Sequence, residues 1–209
     1  MAGGRNTVWH RGYITKQDRN RLNMHDSGIV WFTGLSASGK STIAHLMEKK
    51  LFEEKVRACV FDGDNIRHGL NVNLGFSDGD RKENIRRIVE VAKLFVEAGV
   101  VVLAAFITPF REQREYIKNQ FKGMKYLEVY VKCDLEECIR RDPKGLYEKA
   151  KLGVIKNYTG ISSPFEEPAN PDLILDTNLL SIDESVAKAL EYLKVTDFLK
   201  LLLQQDMPL

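Results

Sequence analysis

The sequence predicts an α/β fold: a five-stranded parallel sheet, doubly wound with right-handed crossovers, flanked by helices on both faces and carrying a mobile lid. Three observations predict it. Apolar runs of strand length recur at residues 29–33, 58–61, 100–106, 126–131 and 173–176. Stretches with helical periodicity separate them, and the connections are of crossover length. The first run leads into Gly34-Leu35-Ser36-Ala37-Ser38-Gly39-Lys40-Ser41-Thr42. That segment satisfies G-x-x-x-x-G-K-[ST] in the strand–loop–helix setting the pattern requires.

The physical reading of that loop is direct. Two glycines let the backbone curl around phosphate oxygens with no Cβ in the way. The loop amides point inward, and the helix that follows, residues 41–52, adds the positive end of its dipole. Lys40 would reach the terminal phosphates of a nucleotide as a point charge, and the Ser41 hydroxyl would ligate Mg²⁺.

The second run, Ala58-Cys59-Val60-Phe61, ends in Asp62-Gly63-Asp64-Asn65-Ile66-Arg67. Ligands of open α/β sheets sit beyond the carboxyl ends of the strands. Asp62 and Asp64 are therefore candidates to hold Mg²⁺ or orient a hydroxyl, although Asp-Gly is also a common turn. A helix starting after Ser77 or Asp78 carries an apolar stripe at Ile85, Ile88, Val89, Ala92, Phe95 and Val96. Arg81 and Asn84 share one side of its first turns, and an arginine there opposes the helix dipole, which favours a bound anion over a solvated side chain.

Gly99 closes that helix. Residues 100–106 form the most continuous apolar run of the chain and read as a strand buried on both faces. No Asp ends it, because Ile107-Thr108-Pro109 follows, so metal binding falls to Ser41 and the earlier carboxylates. A helix over 111–121 leads to the strand at 126–131 and a short helix over 135–140. Next comes a segment rich in Lys and Arg and interrupted by Gly145, Gly153 and Gly160. Its place after the fourth strand favours a lid closing over anions rather than a solvated loop. Residues 173–176 supply the fifth strand, and Ser181 caps a last helix.

Composition narrows the classes. The 209 residues suit one domain, 44% of them are hydrophobic, and the net charge of +2 gives no field suited to nucleic acid. No apolar run approaches a membrane span. The first residues lack the apolar core of a secretory leader, and three cysteines without a C-x-x-C pair read as reduced thiols; a cytoplasmic location is expected. The expected organisation is an N-terminal arm over 1–28 with Trp9 packed on the body, a phosphate-loop domain over 29–198 with its lid at about 141–165, and an apolar tail over 199–209.

From Trp9 to Leu193 the chain resembles the adenylylsulfate kinase family. The resemblance rests on the phosphate loop, on Asp62-Gly63-Asp64-Asn65-Ile66-Arg67, Leu74-Gly75-Phe76-Ser77 and Asp80-Arg81, and on Glu83-Asn84-Ile85-Arg86-Arg87. Asp142-Pro143-Lys144-Gly145-Leu146-Tyr147 and Ser163-Pro164-Phe165 add to it. It implies a P-loop kinase that moves the γ-phosphoryl group of ATP to the 3′-hydroxyl of adenylyl sulfate. By this resemblance the loop residues 34–42 and Arg140 hold ATP. Asp64, Arg67, Phe76, Arg81, Asn84, Ile107, Lys144 and Phe165 hold adenylyl sulfate, with Phe76 and Phe165 framing its adenine. Lys40, Asp62 and Asp64 are the implied catalytic groups, Ser41 and Asp62 the implied Mg²⁺ ligands, and a stand-alone homodimer the implied assembly.

One departure stands out: the family usually has Ser-Pro-Tyr where this chain has Thr108-Pro109-Phe110. Direct in-line transfer between two nucleotides needs no enzyme nucleophile, so Thr108 is not expected to carry phosphate. The rivals are a kinase of another small metabolite and a non-catalytic nucleotide-binding module. The two phenylalanines with Arg67, Arg81 and Asn84 argue against the first, and Lys40, Ser41, Asp62 and Asp64 against the second.

Overall fold

A computed structural model describes residue 8 and residues 10–199 of the chain. Trp9 and the tail from residue 200 onward lie outside the described residues. The order is α1 (Lys16–Asn23), β1 (Gly28–Thr33), α2 (Lys40–Glu53), β2 (Ala58–Asp62), α3 (Gly63–Arg67), α4 (Asp78–Glu97) and β3 (Val101–Ala105). It continues with α5 (Arg111–Gln120), β4 (Tyr126–Lys132), α6 (Leu135–Arg141), α7 (Leu146–Lys151), β5 (Leu173–Asp176) and α8 (Ile182–Val195).

All four strand pairings are parallel, and the sheet order is β2-β3-β1-β4-β5. The strand β1 lies at the centre, with Val30 opposite Leu103 on one side and Leu127 on the other. The period of two divides its side chains between two cores. Val30 and Phe32 pack with Ile43 and Met47 of α2 and Val186 and Leu193 of α8. Ile29 and Trp31 pack with Ile88, Val89 and Ala92 of α4 and Ile117 of α5. Every residue of β1 and β3 is buried, which is why both read as unbroken apolar runs.

The caps follow local chemistry. Ser77 accepts from the Asp80 amide at 3.2 Å to start α4, and Ser181 forms a reciprocal capping box with Glu184 to start α8. The stretch 1–28 shows no sustained apolar period, yet it contains α1, whose capping box joins Thr15 and Asp18. Polar bonds hold α1 to the body: Arg19 donates to the Glu97 carbonyl at 3.3 Å and Asn23 to the Gly99 carbonyl at 2.9 Å. The segment expected as a lid is partly helical. Asp142 accepts from the amides of Leu146, Tyr147 and Glu148, which starts α7, and Tyr147 is fully buried.

The sheet order changes direction at β1, so the loops after β1, β2 and β3 meet at one edge. Two glycines make the phosphate loop possible. A Cβ on Gly34 would lie 2.4 Å from the Val131 carbonyl oxygen, and Gly39 takes φ +102° as the N-cap of α2.

Candidate active site

A cavity of about 670 Å³ opens over the carboxyl ends of these strands. Its floor is the loop, contributed by Ser36, Ala37 and Gly39 to Thr42. The Lys40 ammonium lies back along the loop, donating to the Leu35 carbonyl and to Ser38 Oγ. Burial pushes its pKa down to about 8, against the opposing pull of Asp62 and Asp64. Gly34 and Ser38 are structural members of the loop: Gly34 fits under the Val131 carbonyl, and the Ser38 carbonyl accepts from Thr177 Oγ1 at 3.0 Å.

The two carboxylates divide. Asp62 is 8% exposed at the end of β2, and its Oδ1 accepts from the amides of Asp64 at 2.9 Å and Asn65 at 3.3 Å. Burial alone would raise its pKa, but the Ser41 hydroxyl and those amides outweigh it and keep the carboxyl below its ordinary value. An ionised carboxylate on the same cavity wall as the loop hydroxyl is a donor pair of the oxygen type that Mg²⁺ takes together with nucleotide phosphates. Among the described residues no group of three His, Cys, Asp or Glu could hold an ion alone, so such an ion would draw further ligands from the nucleotide. Asp64 points into the cavity and forms an ion pair with Lys144, whose ammonium this hydrogen bond stabilises.

A second half of the cavity is lined by Arg67, Phe76, Arg81, Asn84, Ile85, Phe106 to Pro109, Gln113, Tyr158 and Thr159. Arg67 donates to the carbonyls of Leu74 and Gly75 and lies 4.4 Å over the Phe76 ring. Arg81 donates to the Phe76 carbonyl at 3.0 Å and to the Asn157 carbonyl at 2.6 Å, tying the start of α4 to the lid segment. The Asn84 carbonyl oxygen accepts from Asn71 Nδ2 at 2.9 Å.

Thr108 belongs to this wall and takes φ +44°, a strained conformation for a β-branched residue. Its hydroxyl accepts from Trp31 Nε1 at 2.9 Å, and its carbonyl accepts from Arg114 at 2.7 Å. With 3% exposure, the side chain is a strut rather than a free hydroxyl.

Besides Leu35, which borders a different cavity, two residues expected at the site lie elsewhere. Phe165 does not line this cavity. Its ring stacks on Tyr130, with centroids 6.0 Å apart, and borders a separate cavity with Leu35 and Lys132. Tyr158, overlooked in the sequence, lines the main cavity with Phe76. Arg140 points outward, its side chain 75% exposed and bonded to Glu137. Arg141, about a hundred degrees further round α6, lines the cavity instead and donates to Thr177 O at 2.7 Å. Leu180, Ser181 and Ile182 complete that side. Tyr147, also overlooked, donates to the Ser36 carbonyl at 3.0 Å and so fastens α7 to the loop.

The sequence profile described as adenylylsulphate kinase matches residues 26–176. The chain belongs to the adenylylsulphate kinase family. A probable adenylyl-sulfate kinase of Halalkalibacterium halodurans is 58% identical over 186 residues, covering 89% of this chain and 92% of the relative. An adenylyl-sulfate kinase of Geotalea uraniireducens is 54% identical over 191 residues, covering 91% and 92%. The solved Mycobacterium tuberculosis APS kinase CysC, in complex with AMPPNP and APS, superposes with a TM-score of 0.79 at 47% identity. That match covers 81% of this chain and 98% of the other. Membership makes the chain a P-loop kinase, in keeping with its phosphate loop and parallel sheet. No helix among the described residues is long and apolar enough to cross a membrane.

Proposed function

We propose that the chain transfers the γ-phosphoryl group of ATP to the 3′-hydroxyl of adenylyl sulfate, giving 3′-phosphoadenylyl sulfate and ADP. The observation that carries this reading is one cavity in which the phosphate loop and a basic, aromatic-lined subsite meet at Asp64. Phosphoryl transfer asks chiefly for positioning and charge neutralisation, and the cavity is built for both.

In this reading ATP lies with its phosphates along Ser36 to Thr42 and its purine beside Arg141, Thr177, Leu180 and Ile182. Lys40 neutralises the terminal phosphates. Ser41 and Asp62 would hold Mg²⁺, which supplies charge neutralisation at the phosphates. The acceptor's phosphosulfate is an anion suited to Arg67 and Arg81, with Asn84 at the ribose and Ile107 along the wall. Phe76 and Tyr158 offer the two aromatic faces for its adenine, Tyr158 taking the place expected of Phe165. Asp64 takes the proton of the 3′-hydroxyl, and Lys144 leaves its ion pair with Asp64 to meet the phosphates. A homodimer is part of the proposal on family resemblance, and a cytoplasmic location on the three free cysteines.

A coupled ADP-release assay over a panel of acceptors tests the reading. Turnover with adenylyl sulfate well above that with nucleoside monophosphates or small hydroxy acids is expected. Turnover on one of those and none on adenylyl sulfate would transfer the chain to another substrate, and nucleotide binding without turnover on any acceptor would make it a binding module.

A further inference from the structure

Asn84 lines the acceptor half of the cavity from α4, and a second asparagine fixes which way its carboxamide faces. Asn71 lies in the turn between α3 and α4, fully buried and outside the cavity lining. Its amide donates to the Ile66 carbonyl at 3.0 Å and its carbonyl accepts from the Leu74 amide at 3.0 Å, so its backbone is held on both sides. Its Nδ2 donates to Asn84 Oδ1 at 2.9 Å.

A carboxamide has two ends of opposite polarity, an acceptor oxygen and a donor nitrogen. What holds one end decides what the other offers a ligand. The order here begins at Arg87, whose guanidinium can only donate. It is fixed by the Glu83 carboxylate at 2.8 Å, the Leu70 carbonyl at 3.1 Å and Asn73 Oδ1 at 2.8 Å. Its Nη1 lies 3.5 Å from Asn71 Oδ1. That positive charge keeps the Asn71 oxygen on its own side and leaves the Asn71 nitrogen for Asn84. Asn84 therefore turns its oxygen to Asn71. Its Nδ2 has no protein partner among the described residues and is not sealed from the cavity that the residue lines.

We propose that Asn71 is a positioning residue for the acceptor: it holds the Asn84 carboxamide with its N–H donors toward the cavity, where they meet a ribose oxygen of the substrate. The proposal rests on the adenylyl sulfate reading given above. A sugar hydroxyl that accepts from Asn84 keeps its own proton free for Asp64. A reversed carboxamide would present an oxygen and compete for that proton.

The test measures the KM for adenylyl sulfate and for ATP in the wild type, in Asn71→Asp and Asn71→Leu, and in each combined with Asn84→Ala. Asn71→Asp puts an acceptor where the donor stood, so Asn84 turns its nitrogen inward and its oxygen to the cavity. The acceptor KM should rise about 10- to 100-fold, the cost of a lost and mismatched buried hydrogen bond, with KM for ATP unchanged. Asn71→Leu, similar in size and without polarity, frees Asn84 to face either way and should raise the acceptor KM about 2- to 10-fold. It also stands in should Asn71→Asp fail to fold. Because Asn71 acts through Asn84, either substitution added to Asn84→Ala should change the acceptor KM by less than about twofold. Folded Asn71 variants with the wild-type acceptor KM overturn the assignment. So does an effect that persists in full without the Asn84 carboxamide, or one that raises both KM values together, because a residue that only stabilises the turn would behave in those ways. Should the wild type turn over a different acceptor and not adenylyl sulfate, the substrate reading falls, and the same cycle on that acceptor decides the role of Asn71. No turnover with any acceptor overturns both.

Discussion

Replacing Thr108 by Ala separates a structural hydroxyl from a chemical one. The Thr108 hydroxyl receives the indole N–H of Trp31 at 2.9 Å, and Trp31 is a fully buried residue of the central strand. Removing that oxygen leaves a buried donor without its partner, at a cost of about 1–3 kcal/mol. Alanine tolerates φ +44° more readily than a β-branched residue, which offsets a small part. For a domain of this size each kcal/mol lowers Tm by roughly 2–4 °C, so a drop of roughly 2–10 °C is expected by calorimetry. Thr108→Ser keeps the hydroxyl and gives up only one buried methyl, so a smaller loss of about 0.8 kcal/mol is expected. Turnover, assayed well below either transition, should stay within about tenfold of wild type, since direct transfer between two bound nucleotides leaves no step for this oxygen. Loss of turnover beyond about a thousandfold in a folded Thr108→Ala protein, with Thr108→Ser fully active, would refute this reasoning and make the hydroxyl a chemical participant.

Further outcomes follow from the same geometry. With the Lys40 pKa brought down to about 8 by burial, nucleotide affinity measured by calorimetric titration should weaken about tenfold per pH unit above that value, because phosphate binds the protonated ammonium. The sign for folding is opposite: the folded pKa lies below the unfolded one, so the nucleotide-free protein gains stability from this group as pH rises from about 8 toward 10.4; a flat or falling Tm across that window in Lys40→Met-corrected data would contradict it. Asp64→Asn should cut kcat by about 10²- to 10⁴-fold with little change in Tm, because its ion pair with Lys144 is exposed; unchanged kcat would remove Asp64 from the chemistry. Arg81→Ala should raise the acceptor KM by about 10- to 100-fold, the worth of a charge-assisted contact, with ATP KM nearly constant; equal effects on both would place the sulfate elsewhere.

How far the sequence reveals this molecule depends on which force shapes each part. The strands β1 and β3 are legible because burial on both faces leaves an unbroken apolar signature in Gly28–Thr33 and Val101–Ala105. The loop is legible because Gly34 and Gly39 answer steric demands that no other residue meets. Helix α1 is hidden from a search for apolar periodicity, since carbonyl contacts from Arg19 and Asn23 hold it, though Thr15 and Asp18 spell its capping box. The exchange of Arg140 for Arg141 turns on the rotation of a short helix, which a run of two arginines does not display. Tyr158 and Phe165 are both aromatic and both in the lid stretch. Only the backbone path decides that the former enters the cavity while the latter stacks on Tyr130 beneath Arg114.

The central claim is that two purine nucleotides lie in one cavity, with Asp64 between them. A crystal structure with a non-hydrolysable ATP analogue and adenylyl sulfate together tests it most directly. Triphosphate oxygens are expected on the Ser36 to Thr42 amides and the sulfated nucleotide between Phe76 and Tyr158, its 3′-hydroxyl within hydrogen-bond reach of Asp64. Adenylyl sulfate seated instead in the cavity bordered by Tyr130 and Phe165, or with its 3′-hydroxyl turned away from Asp64, would contradict it.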